Sequence, residues 1–161
     1  MTTNPSGNSP VRNMNAYLRV RDAVAAIRFY SAAFGATEIF RLSEPSGRIG
    51  HAELQLGPAV LMVSDEFPEY GIHSPLAFNG TGCAMHLDVE NVDETCNRAV
   101  AAGAKLVMAP KDQFYGHRAA KLIDPFGHEW SLGQEIEKVA PEEMQRRYDA
   151  MFSQAESVAA G

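Results

Sequence analysis

With 161 residues, the chain is long enough for one domain, or for two small modules sharing one core. Its net charge of -6 excludes an extended nucleic-acid surface, which needs clustered Lys and Arg, and no run approaches the ~18 apolar residues needed to cross a bilayer. The hydrophobic fraction of 45% is that of an ordinary globular protein, and the N-terminus lacks the basic and apolar regions of a signal peptide, so a cytoplasmic location is expected.

Residues 1–12 are rich in Ser, Asn, Pro and Gly, and disorder is expected there. A first module follows over 13–66. Asn15 to Val20 reads as a strand: Met14, Ala16, Leu18 and Val20 share one face, and Asn15, Tyr17 and Arg19 share the other. Asp22 is placed to cap a helix whose Val24, Ile27, Tyr30 and Phe34 recur at spacings of three and four. Gly35 ends that helix as a left-handed cap would. Strands are expected at Thr37 to Leu42, Ile49 to Leu56 and Ala59 to Ser64, with a turn at Glu44-Pro45-Ser46-Gly47. In the middle one, Ala52, Leu54 and Leu56 face one way, and His51, Glu53 and Gln55 the other.

Residues 67–82, with Pro68, Gly71, Pro75, Gly80 and Gly82, read as a long linker, suited to joining modules or to lying over a site. The order then repeats over 83–137, at an offset of about 69 residues between Val20 and Val89. Ala84 to Val89 is a strand with His86 and Asp88 on one face. Val92 to Ala102 is a helix stopped by Gly103. Lys105 to Met108, ending before Pro110, is a further strand, as are Arg118 to Ile123 and Glu129 to Leu132. Asp124-Pro125-Phe126-Gly127 reads as a turn, with Trp130 in the core and His128 structural. Residues 138–161 hold a terminal helix from Glu142 to about Phe152 and a frayed tail. Its apolar stripe of Met144, Tyr148, Met151 and Phe152 is expected to cover its own domain or a second copy, and a homodimer is expected. Cys83 and Cys96 have no metal or redox spacing and are expected to be buried free thiols. The expected fold is α+β: two tandem β-α-β-β-β modules whose curved mixed sheets enclose a concave cavity.

Tyr17-Leu18-Arg19-Val20-Arg21-Asp22, Phe29-Tyr30, Ala33-Phe34-Gly35-Ala36, Gly50-His51-Ala52-Glu53-Leu54, Phe114-Tyr115-Gly116-His117-Arg118 and Asp124-Pro125-Phe126-Gly127-His128-Glu129-Trp130 carry a resemblance. Together with the tandem modules, they resemble the vicinal oxygen chelate superfamily of glyoxalases, bleomycin-resistance proteins and extradiol dioxygenases, in its PhnB-like branch. The resemblance covers about residues 14–137. It implies metal ligands at the start of each module's first strand and within its last strand. Those positions fall here on Asn15, Met62, Ala84 and Ser131. A thioether and a methyl group do not hold a hard divalent ion, whose ligands are carboxylate, imidazole or other oxygen groups. The usual metal centre is therefore expected to be missing, and no cofactor is expected.

Two readings stay open for the polar residues. His51, Glu53 and His86 would make an acceptable displaced set for a divalent metal. More simply, His51 and Glu53 are a hydrogen-bonded pair and His86 a lone pocket residue. Arg19 is either an anion anchor, as the resemblance suggests, or a partner of Glu53 or Asp88. Tyr17 is a pocket wall, or it stacks on a planar ligand or donates a proton. His86 with Asp88 is either a general base with its orienting group or a simple polar lining, and, being two apart on one strand, the two side chains are expected to point in parallel. Arg118 reaches ligand at a cavity mouth, or bonds Asp124 or backbone carbonyls. The expected ligand-binding set is Asn15, Tyr17, Arg19, His51, Glu53, Met62, His86, Arg118 and Ser131, around a small oxygenated or anionic molecule. An enzyme of the lyase, isomerase or dioxygenase type is the alternative to a binding protein.

Overall fold

A computed structural model of the chain describes residues 9–159, with side chains through Ser153. Of the segment expected to be disordered, residues 1–8 lie outside the described residues, and 9–15 form neither helix nor strand. The first module runs β1 (Ala16–Val20), α1 (Ala23–Phe34), β2 (Thr37–Ser43), β3 (Ile49–Leu56) and β4 (Ala59–Asp65). The second repeats it as β5 (Ala84–Asp88), α2 (Val92–Ala101), β6 (Lys105–Asp112), β7 (His117–Ile123) and β8 (Glu129–Glu135). The sheet orders match, β1-β4-β3-β2 and β5-β8-β7-β6. In each, the first strand pairs in parallel with the fourth and the remaining pairs are antiparallel.

Asp22 caps α1 as expected, accepting from Ala25 N at 2.9 Å. Asn91, which the sequence reading did not single out, does the same for α2, accepting from Glu94 N at 3.0 Å. Gly35 closes α1 at φ 73, where a side chain would be strained. The buried face of α1 is broader than a single stripe, because Ala26, Phe29 and Ala33 are covered along with Ile27 and Tyr30. The reason is that the helix packs on its own sheet and on α2 at once.

Both modules share one core. It holds Leu18, Val63 and Leu54 of the first sheet, Leu122, Trp130 and Leu132 of the second, and the inner faces of α1 and α2. Aromatic rings bridge the two halves: Phe34 and Trp130 lie 4.7 Å apart between centroids, and Phe29 and Phe126 6.1 Å. Alternation along each strand therefore turns the polar side of each sheet away from this core. The two sheets are not closed on one another.

Three expectations need correction. The sixth strand does not stop before Pro110 but runs to Asp112, with a register shift between Met108 and Lys111. β6 is an edge strand, where a missing N–H at a bulge is tolerated. Cys83 is exposed, just ahead of β5, and only Cys96 is buried. The last helix, α3 (Pro141–Ala159), extends through most of the segment expected to fray, while residues 160–161 lie outside the described residues. Among the described residues, no helix is long and apolar enough to cross a membrane.

Candidate functional site

Strand register builds the polar face of the first sheet. Tyr17 sits beside Met62, Met62 beside Glu53, and Glu53 beside Phe40, forming a row across all four strands. The Tyr17 hydroxyl lies 2.8 Å from His51 Nδ1, and His51 Nε2 lies 3.3 Å from Glu53 Oε1. A carboxylate only accepts, so Nε2 carries the proton, and a singly protonated ring accepts from Tyr17 at Nδ1. The result is a hydroxyl–imidazole–carboxylate chain on a half-buried surface.

Arg19 lies one pleat further along β1. Its guanidinium stands 3.8 Å over the Tyr17 ring, and Nη1 donates to the buried Ser64 Oγ at 2.6 Å. Neither expected acidic partner is there. Among the described residues, no carboxylate lies within salt-bridge distance of Arg19, whereas Arg48, Arg118 and Arg147 each hold two. An Arg fixed by an aromatic face and a hydroxyl keeps its charge free for an incoming anion.

The second sheet repeats the device with different residues. His86 sits beside Ser131, and Ser131 beside Lys121. His86 Nδ1 lies 3.1 Å from Ser131 Oγ, and Nε2 lies 3.2 Å from Asp88 Oδ1. His86 and Asp88 thus converge instead of pointing in parallel, because the sheet twists and both side chains are exposed and free to lean together. Gly133 makes room for the ring: a Cβ there would meet His86 Cε1 at 2.9 Å.

The expected ligand set is divided by this arrangement. Tyr17, Arg19, His51, Glu53 and Met62 share the first polar face, with the half-buried Asn15 just ahead of β1, its Oδ1 accepting from Asn13 Nδ2 at 3.1 Å. His86, Ser131 and the exposed Ala84 belong to the second. Asn15 and Met62 therefore belong to the first module, and Ala84 and Ser131 to the second. His86, engaged by Ser131 and Asp88, does not join His51 and Glu53. Among the described residues, no group of three or more His, Cys, Asp or Glu is placed to hold a metal ion. The residues at the positions that the resemblance assigns to metal ligands offer an amide, a thioether, a methyl and a hydroxyl, of which the thioether and the methyl do not suit a hard divalent ion.

Arg118 does not bond Asp124; its guanidinium is engaged by two other aspartates. Its Nε and Nη2 donate to Asp93 at 2.6 and 2.9 Å, and Nη1 donates to Asp112 at 2.8 Å. Those aspartates, Asp93 first, raise its pKa and clamp α2 and β6 to β7.

The linker does lie against the site. Residues 67–82 carry two single-turn 3-10 helices, Pro68–Tyr70 and Pro75–Ala77, and a β-bridge between Phe67 and Ile72. With β1 they enclose an open crevice of about 420 Å³, lined among others by Tyr17, Arg19, Ser74, Phe78, Thr81 and His128. None of the described residues lining it is acidic. His128 Nε2 donates to the Arg19 carbonyl oxygen at 2.9 Å and so ties the second module to the floor. Ser64, Ser74 and Thr81 escape a sequence reading, because isolated hydroxyl residues in a strand and a loop carry no pattern.

Comparison with known proteins adds the following. The family model "Glyoxalase/Bleomycin resistance protein/Dioxygenase superfamily" matches residues 13–132. The chain is 39% identical over 146 residues to Uncharacterized protein Mb0911c of Mycobacterium bovis, covering 89% of this chain and 94% of that one. The structure of TioX from Micromonospora sp. ML1 superposes with a TM-score of 0.61 at 27% identity, covering 78% of this chain and 99% of that one. A glyoxalase/bleomycin resistance protein/dioxygenase family enzyme from Burkholderia phytofirmans PsJN superposes with a TM-score of 0.59 at 26% identity, covering 74% and 95%.

Proposed function

Because the chain belongs to the glyoxalase/bleomycin resistance protein/dioxygenase superfamily, we propose that it binds a small oxygenated anion on the polar face of its first sheet, without the superfamily's usual metal. The single observation that carries this reading is Arg19: a guanidinium stacked on Tyr17, braced by Ser64, without a carboxylate partner among the described residues, beside a crevice whose described lining holds no acid. In a chain of net charge -6, such a place is where an anion gains most. Tyr17 supplies a flat wall, and His51 and Glu53 supply polar contacts for the ligand's remaining oxygens.

A second reading rests on the Tyr17–His51–Glu53 chain. Glu53 orients His51, and His51 takes the Tyr17 proton while Tyr17 removes one from a bound substrate, giving a lyase or isomerase that works by acid–base chemistry. We propose further that the protein is a homodimer, a reading supported by Tyr148, Met151 and Phe152, which α3 leaves exposed.

Calorimetry with a panel of small carboxylic and phosphorylated acids, with and without chelator, tests the main reading. A ligand whose affinity ignores chelator and falls about tenfold or more in Arg19→Gln is the expected result, since hydrogen bonds to charged groups contribute about 1.5–3 kcal/mol. Binding that needs an added divalent metal, or that Arg19→Gln leaves unchanged, refutes it.

A further inference from the structure

The Ser131–His86–Asp88 chain takes no part in the anion site, which lies on the other sheet. Its members meet from two neighbouring strands: His86 and Asp88 lie on β5, and Ser131 lies opposite His86 on β8. A carboxylate only accepts, so His86 Nε2 carries the proton toward Asp88 Oδ1 at 3.2 Å, and the bare Nδ1 accepts from the Ser131 hydroxyl at 3.1 Å. A serine is a weak nucleophile until a neighbouring base takes its proton, and the base works best when a third group holds its tautomer. Those three roles stand here in the required order.

The surroundings fit the same chemistry. Gly133 lies two residues beyond Ser131 on β8, and the His86 ring presses on it: a Cβ there would stand 2.9 Å from Cε1 and 3.1 Å from Nε2. Gly133 has no left-handed φ that would call for glycine. A glycine inside a strand weakens it, and here it lets the imidazole lie close to the backbone between its two partners. The His86 and Asp88 side chains are 53% and 83% exposed, so their contact adds little to stability and is open to a dissolved substrate. On the other side of Ser131, Lys121 is its register partner on β7 and shares its face. The flexible lysine stem lets an ammonium reach a negative charge that forms beside Ser131. His86 and Asp88 also edge a cavity of about 370 Å³ between the modules, whose walls include Phe34, Leu56, Pro58 and Leu87. It offers an apolar place for the acyl or aryl part of a small ester.

We propose that the second polar face hydrolyses small activated esters through an acyl-serine. Ser131 Oγ attacks the carbonyl carbon while its proton passes to His86 Nδ1. The carbonyl oxygen takes the negative charge and faces Lys121. As the carbonyl re-forms, the bond to the leaving alcohol or phenol breaks, and that oxygen takes the proton from Nδ1. A water molecule then gives a proton to Nδ1 and attacks the acyl carbon. The carboxylic acid leaves as the proton passes from Nδ1 to Ser131 Oγ. Ser131, His86 and Lys121 act on the substrate, and Asp88 and Gly133 position the imidazole. The activity uses none of the residues of the anion site, so each reading stands or falls alone.

The experiment mixes the full chain with 4-nitrophenyl acetate and follows nitrophenolate release and protein mass. A burst of about one equivalent is expected, with one acetyl group located on Ser131 by peptide mass spectrometry. Ser131→Ala should lose both burst and label. His86→Ala should slow release about a hundredfold, the low end for a positioned general base. Asp88→Asn and Gly133→Ala should slow it less, with melting temperatures near the parent's. Absence of an acetyl group on Ser131 of the parent chain overturns the proposal. So does release by Ser131→Ala at the parent's rate, which would mean that His86 acts alone as a surface imidazole. Where Ser131→Ala melts well below the parent, acetylation of the parent at Ser131 and its loss in His86→Ala decide the matter.

Discussion

Tyr30 and Asp124 stand 94 residues apart in the chain, and the Tyr30 hydroxyl donates to Asp124 Oδ2 at 2.7 Å. Trp130 Nε1 donates to the same oxygen at 2.9 Å, and the N–H groups of Phe126 and His128 donate to the other. A buried carboxylate thus has four donors and fastens α1 to the second module. Burial, and then the Asp124 charge, push the Tyr30 hydroxyl well above its ordinary pKa. Tyr30→Phe is expected to destabilise the fold by about 1–3 kcal/mol, because Asp124 loses a donor where water does not replace it. A urea midpoint equal to the parent's would show that the contact does not hold the modules together.

Gly116 lies under the backbone that leads into α3. Its φ is 83, and a Cβ there would meet the Glu137 carbonyl oxygen at 2.2 Å and Val139 Cγ2 at 2.7 Å. Its own carbonyl accepts from Ile136 N and Glu137 N at 2.9 and 3.0 Å. Gly116→Ala should cost more than about 2 kcal/mol, through strain and through displacement of that backbone. Thermal unfolding within a degree of the parent would contradict this.

Ion pairs within α3 hold in place Arg147, which moors the helix, and they should weaken in acid. Arg146 donates to Glu143 through Nε and Nη2, and Arg147 through Nε, all at 2.7 Å. These guanidiniums, Arg146 first, hold the Glu143 carboxyl down at about 2, against an ordinary 4.5. The folded state binds this proton less readily than the unfolded chain does. The contribution is therefore whole above pH 4.5 and disappears as pH falls toward 2. Arg147 also donates to Glu137 and to the Phe114 carbonyl, next to the packed rings of Phe114 and Tyr148 at 5.4 Å. The ring protons of Tyr148 should report the loosening in that window, and Arg147→Ala should show it already at neutral pH. A Tyr148 signal that is flat from pH 5 to 2 would exclude the mechanism.

Gly133→Ala tests the second polar face by itself. The new methyl falls on the exposed end of the His86 ring, so the ring should swing off Ser131 and Asp88 while the fold gives up less than about 1 kcal/mol. A changed His86 ring shift with an unchanged melting temperature is expected, and a large loss of stability would mean that the strand itself had moved.

The proposed homodimer is checked by light scattering at micromolar concentration. A dimer mass that drops to that of a monomer in Tyr148→Asp/Phe152→Asp is expected, and a monomer mass for the parent sequence removes the proposal.

The scaffold was legible because its signals are local. Asp22 caps a helix, Gly35 stops it, and the alternation through Tyr17, Arg19, His51 and Glu53 assigns a side of a strand whatever lies beyond it. Local rules also misled. Pro110 looked like a strand end, but an edge bulge accommodates it, and Cys83 looked buried, but it falls one residue ahead of its strand.

Taken alone, the sequence settled two repeated modules and the polar and apolar side of each strand. Each of these follows from residue type and short-range spacing. Only the tertiary structure decided that Arg19 is without a carboxylate partner among the described residues while Arg118 has two, and that His86 leans onto Ser131 and Asp88. Those outcomes depend on which distant segments arrive at the same place, and sheet register, twist and loop path fix that arrival only once the whole chain has packed.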